Sequence, residues 1–169
     1  MKRILCIIFA FTLASCANTT GGAAKVSQSG FDGAKVVTID PHGNASNSIV
    51  GTGLGAQWNS KTPDSALLIV TIFNDIEAIS GAELMIDGEK VTVSLAKGVT
   101  DFDSEVPGIK QSSKAFVTEL KIIERITNAK KAWLRVYTPT GYIENAIIDG
   151  EKDSKAFHAL KRFLTAIKE

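Results

Sequence analysis

Histidine is the side chain that most readily moves protons near neutral pH, and this chain has two, His42 and His158. His42 stands in Asp40-Pro41-His42-Gly43-Asn44, with Ser46 and Ser48 just beyond. On paper, Asp40, His42 and either serine make a carboxylate–imidazole–hydroxyl relay for acyl transfer. No nucleophile-elbow motif surrounds either serine. Asp, Asn, Ser, Pro and Gly are also the residues that turns require for conformational reasons. The segment is therefore read as a loop, no catalytic residue is assigned, and the chain is read as a non-enzyme.

Three further patterns could carry chemistry. Asp101-Phe102-Asp103-Ser104-Glu105 places carboxylates at alternate positions, as a calcium loop does. An EF-hand needs Gly at the sixth position and Glu at the twelfth, where Val106 and Ser112 stand, so at most an irregular calcium site is left. With two histidines and no free thiol, a zinc site lacks ligands. No metal and no cofactor is expected. Gly51-Thr52-Gly53-Leu54-Gly55 lacks the Lys-Ser/Thr of a nucleotide loop and the spacing of a dinucleotide fingerprint. It reads as a glycine-rich edge strand or bulge. The third pattern is a hairpin around Thr138-Pro139-Thr140-Gly141. A two- or four-residue loop sets Tyr137 opposite Tyr142 and Arg135 opposite Glu144, with Trp133 on the same side. Trp, Tyr and Arg are the residues enriched at binding surfaces. Cross-strand aromatic pairs also stabilise sheets with no partner. Trp133, Arg135, Tyr137, Tyr142 and Glu144 form the candidate binding face.

The N-terminus reads as an address. Met1-Lys2-Arg3 precedes the uncharged apolar run Ile4 to Thr12, which is too short to span a bilayer but is typical of a secretory signal core. It ends in Leu13-Ala14-Ser15-Cys16. These four residues resemble the lipobox of bacterial lipoprotein precursors, in which an aliphatic residue and two small ones precede a cysteine. The resemblance covers residues 1 to 16 alone. It implies a diacylglyceryl thioether on Cys16, cleavage before Cys16, and in many bacteria acylation of the new amine. Ala17 rather than Asp implies the outer membrane, facing the periplasm, if the host is Gram-negative. Two or three acyl chains hold a protein firmly, whereas one is marginal.

On this reading residues 1–15 are a signal peptide, 16–33 are the lipidated cysteine and a flexible tether, and 34–169 are one globular domain. Losing Lys2 and Arg3 removes two positive charges from a formal net charge of +1. A near-neutral body gives no electrostatic reason to expect nucleic acid. Cys6 leaves with the signal and Cys16 is lipidated, so no disulfide partner remains and the core alone must stabilise the domain. The expected partners are the membrane, through Cys16, and a protein of the cell envelope. The expected role is a scaffold or partner-binding module; the alternative is a carrier of a small apolar ligand or lipid.

The elements that must position these residues follow from periodicity. Val36 to Ile39 is a strand stopped at Asp40-Pro41, and Val50 to Trp58 is a second. Ala66 to Phe73 is apolar on both faces, which places it centrally in a sheet. Ala82 to Ile86 and Glu89 to Leu95 flank Asp87-Gly88, a favoured hairpin turn. That turn pairs Ile86 with Glu89, Leu84 with Val91 and Ala82 with Val93. Residues 97 to 112 are an acidic loop. Lys114 to Thr118 is a strand, and Glu119 to Asn128 is a helix with Leu120, Ile122, Ile123 and Ile126 inward. The last helix begins at Asp153 or Ser154, buries Phe157, Leu160, Phe163, Leu164 and Ile167, and turns Lys155, Lys161, Arg162 and Lys168 outward. Solvation explains that basic face, with contact to anionic lipid as the alternative. The fold class is α+β: a mainly antiparallel sheet of about seven strands with two late helices packed on it. The alternative is a β-sandwich or open barrel with appended helices.

Overall fold

The computed structural model of the chain describes residues 21–96, 100–103 and 110–169. The signal segment, Cys16, and Ser104 and Glu105 of the candidate calcium loop lie outside them. The described residues form twelve strands and two helices. They are β1 (Lys25–Gln28), β2 (Lys35–Gly43), β3 (Gly51–Asn59), β4 (Ser65–Phe73), β5 (Gly81–Ile86), β6 (Glu89–Thr92), β7 (Ser94–Leu95), β8 (Asp101–Asp103), β9 (Gln111–Glu119), α1 (Leu120–Asn128), β10 (Lys131–Thr138), β11 (Gly141–Asp149), β12 (Lys152–Asp153) and α2 (Lys155–Lys168). The first sheet runs β1-β2-β3-β4-β9, with β7 and β8 on the outer edge of β9. The second runs β12-β11-β10-β5-β6. Every pairing is antiparallel, and neither sheet closes into a barrel. The α+β architecture with late helices is as expected. The strands exceed seven because several are short, and they divide between two sheets.

β4 is central, between β3 and β9, as its apolar run requires. Its inward residues Leu68, Val70 and Ile72 are fully buried, while Leu67 and Ile69 on the other face are only half-buried. The glycine-rich segment is β3, and it is internal rather than an edge. β2 runs on through Pro41, because the register slips between Ile39 and His42 and the proline falls in the irregularity, where no ladder donor is needed. The glycines of β3 make room for this bulge. A Cβ on Gly55 would lie 2.6 Å from the Ile39 carbonyl oxygen, and one on Gly53 would lie 2.6 Å from that of His42.

The Asp87-Gly88 hairpin has the expected register, Leu84 with Val91 and Ile86 with Glu89. Both turn residues have positive φ, 47° and 88°, as a type I′ turn demands. The second arm does not continue to Leu95 in one sheet. Beyond Thr92 the chain passes through buried Val93 into β7, which pairs with β9 in the other sheet. Residues 25–28, assigned to the tether, form edge strand β1, exposed throughout and held by its ladder to β2 rather than by burial.

One core joins both sheets and both helices. α2 packs on β2, β3 and α1, and Ser154 caps it by accepting from the Phe157 N–H at 3.1 Å. Its buried stripe is Ala156, Phe157, Ala159, Leu160, Phe163 and Ala166, with Leu164 and Ile167 at the margin. The alanines face inward because a close helix–sheet contact leaves room for little more. α1 buries Ile122, Ile123 and Ile126. The sheets also touch directly. Ala45 forms an isolated bridge with Ala146, and the Thr52 N–H donates to Asn145 Oδ1 at 2.8 Å.

Candidate functional site

β10 lies between β11 and β5, so its outward side chains meet neighbours from both. The two-residue loop Pro139-Thr140 sets Tyr137 against Tyr142 and Arg135 against Glu144, as the sequence implies. On the other flank, Arg135 pairs with Glu83 and Trp133 with Met85. Leu134, Val136 and Ile147 point inward and are fully buried. Trp133, Arg135, Tyr137, Tyr142 and Glu144 thus share the outer face of the second sheet.

Their side chains form a matched network. Lys90 Nζ meets Glu83 Oε1 at 2.7 Å, and the Tyr137 hydroxyl donates to Glu83 Oε2 at 2.6 Å. Arg135 Nη1 donates to the Tyr137 hydroxyl at 3.4 Å, and its guanidinium pairs with Glu144. The Tyr142 ring lies edge-on to Tyr137 and carries the Arg135 guanidinium 4.6 Å above its centre. Trp133 Nε1 donates to Asp149 Oδ2 at 3.2 Å, and Lys131 pairs with the same carboxylate. The hydrogen bond from Lys90, then that from Tyr137, holds the Glu83 carboxyl below the usual glutamate range, and Glu83 in return holds the Lys90 ammonium above the usual lysine range. Every charge in this network has an opposite partner, so the face as a whole is close to neutral.

Two depressions meet at Trp133. One, of about 160 Å³, is lined by Glu83, Met85, Lys90, Trp133, Arg135 and Glu144. The other, of about 580 Å³, lies between the 45–48 loop and β11 and is also lined by Trp133 and Glu144. Tyr142 is 59% exposed and Met85 41%. Among the described residues no strand pairs with the outer edge of β11 at Tyr142 and Glu144. The Tyr137 carbonyl accepts from the Ser80 N–H, so Tyr137 directs its backbone groups towards β5 and its partner Tyr142 directs its own away from β10. Glu144 follows two residues on, and at Ala146 that edge is taken by the Ala45 N–H. Sequence reasoning missed Glu83, Met85, Lys90 and Asp149. The first three were accessible in part, because the register of their hairpin puts them on its polar side.

The relay at His42 is not assembled. His42 Nδ1 lies 2.6 Å from the Asp40 carbonyl oxygen, which can only accept, so Nδ1 carries the proton. Nε2 then accepts from the Gly22 N–H at 2.9 Å. The Asp40 carboxylate pairs with Lys25, and Ser46 Oγ accepts from the Ser48 N–H within its own loop. His158 pairs with Asp153 at 2.8 Å. Among the described residues no group of three or more His, Cys, Asp and Glu side chains converges as metal ligands would. Phe116, Ile123, Phe157 and Leu160, where a carrier would need its pocket, all belong to the packed core.

No protein-family model, curated protein or solved structure matches this chain.

Proposed function

We propose that the protein is a lipid-anchored lipoprotein of the cell envelope that binds a protein partner through the outer face of its second sheet, as a scaffold or adaptor rather than an enzyme. The observation that carries the binding half is the aromatic and arginine face around Trp133. Tyr142 and Glu144 are exposed and Trp133, Arg135 and Tyr137 half-buried; the face is hydrogen-bonded, charge-compensated and flanked by two depressions. Interfaces concentrate their binding energy in Trp, Tyr and Arg anchors, and a charge desolvated with its partner costs less than one desolvated alone. The anchoring half rests on Leu13-Ala14-Ser15-Cys16 and the apolar run before it.

Two experiments test the halves separately. Cys16→Ala is expected to release the protein from the membrane fraction, and a variant that still sediments with membranes would overturn the anchor. Crosslinking in the native host, read by mass spectrometry, is expected to recover a protein partner that is lost in Trp133→Ser/Tyr142→Ser. An unchanged crosslink in that folded variant would remove this face from the reading.

A further inference from the structure

Gly22 is held on both sides. Its N–H donates to His42 Nε2, and its carbonyl accepts from Arg162 Nε at 2.9 Å. The chain therefore enters the domain against the flank of α2. Cys16 lies six residues upstream, a distance that the backbone can span with at most about 20 Å. α2 itself, with 14 residues, is about 21 Å long. An anchor at Cys16 thus cannot lie farther from Arg162 than roughly one length of this helix.

The outward face of α2 is basic. Lys155, Lys161 and Lys168 are exposed. None of them has a carboxylate partner among the described residues, and Lys161 Nζ lies over the Phe157 ring at 4.3 Å. Three acids stand near the helix in sequence: Glu151 in the turn before it, Asp153, which is paired with His158, and Glu169 at its C-cap; no described ion pair joins any of them to these lysines. The other charged clusters described above are matched internally. This one is not, and it lies beside the point where the tether arrives.

We propose that the outward face of α2 docks on an anionic lipid surface, with Lys155, Lys161 and Lys168 meeting the headgroups and the Gly22 clamp turning that face to the bilayer. The orientation rests on the lipoprotein reading above; the affinity of the face for anionic lipid does not. Docked in this way, the protein needs less from its acyl chains, since a basic patch is the usual second signal beside an acyl chain.

The test uses the mature chain, residues 16–169, which contains every described element, with Cys16→Ser so that no acyl chain contributes. Co-sedimentation is measured with vesicles of phosphatidylcholine alone and of phosphatidylcholine with 30% phosphatidylglycerol, a composition of roughly physiological charge. Each lysine close to such a surface strengthens partition about fivefold. Binding to the anionic vesicles is expected to exceed that to the neutral ones by about a hundredfold, to fall at high salt, and to be lost in the triple variants Lys155→Glu/Lys161→Glu/Lys168→Glu and Lys155→Gln/Lys161→Gln/Lys168→Gln. The Gln set covers the case in which charge reversal unfolds the helix. Equal partition onto both vesicles, or full binding by the folded Gln variant, would overturn the proposal. Because no acyl chain is present, failure here leaves the Cys16 anchor standing, and failure of Cys16→Ala to release the precursor leaves this result standing.

Discussion

Glu83 joins two strands and the aromatic face through single atoms. One oxygen takes Lys90 of β6 and the other takes the Tyr137 hydroxyl of β10. Its folded carboxyl titrates below the usual range, so the stabilisation it provides is complete above that range and is lost as pH falls through the lowered value. Partly solvated pairs of this kind contribute a few tenths to about 1 kcal/mol. Urea unfolding should find wild type more stable than Glu83→Gln by that amount at neutral pH, and the gap should narrow as pH falls from the ordinary glutamate range through the lowered value. A gap independent of pH would assign the effect to packing. Gly55 acts at the same scale through the side chain it lacks. Its Cβ would lie 2.6 Å from one backbone atom of the β2 bulge and 2.8 Å from another, and backbone cannot swing aside as a side chain can. Gly55→Ala should cost about 1–3 kcal/mol, the usual result of overfilling a packed site. Gly30→Ala, with nothing within 4 Å, should change stability by less than about 0.5 kcal/mol.

Between elements, the link worth testing is the one that ties the sheets together at β3 and β11. Asn145 Oδ1 accepts from both the Thr52 N–H and the Thr52 hydroxyl, and Asn44 Nδ2 donates to that hydroxyl in turn. All three residues are buried. Asn145→Ala strands the Thr52 N–H without a partner, so calorimetry should show a loss of about 1–3 kcal/mol beyond the packing defect. The hydrogen exchange of that amide should also speed up more than its neighbours'. Such a link is invisible to sequence reading, since it joins residues 93 apart with no local pattern to mark them. Both hairpins, by contrast, were legible. Asp87-Gly88 and Pro139-Thr140 are two-residue turns, and alternation on either side of each sets its register. That logic sufficed to pair Arg135 with Glu144 and Tyr137 with Tyr142. It could not bring in Glu83 or Lys90, because β5 reaches β10 across a long stretch of chain. The stop expected at Pro41 failed for a similar reason. A proline ends a strand unless its neighbour accepts a bulge, and Gly53 and Gly55 do so from another strand. The switch of sheet at Val93 has the same character: β6 and β7 read as one apolar alternation, and only the neighbours available to each half divide them.

At the scale of the whole molecule the question is whether two sheets make one cooperative unit. The core runs unbroken from β2, β3, β4 and β9 through α1 and α2 to β5, β10 and β11. The shared helices mean that neither sheet can expose its inner face without exposing the other's. Beyond Cys16 the chain has no cysteine, so no disulfide inside the domain can hold one half folded while the other opens. The two tryptophans report on the halves separately: Trp58 is buried in β3, with its Nε1 donating to the Pro63 carbonyl at 2.9 Å, and Trp133 lies on the outer face of β10. In Trp133→Phe the remaining fluorescence follows the first sheet, and in Trp58→Phe it follows the second. Within each variant, the fluorescence and far-ultraviolet circular dichroism transitions in urea should superimpose, as two-state unfolding requires. The Trp58→Phe variant should have the lower midpoint, because it loses a buried ring fit and a hydrogen bond, whereas Trp133→Phe alters a half-buried surface. A fluorescence transition that separates from circular dichroism in either variant would mean that the sheets unfold independently and that the shared core couples them less than its continuity implies.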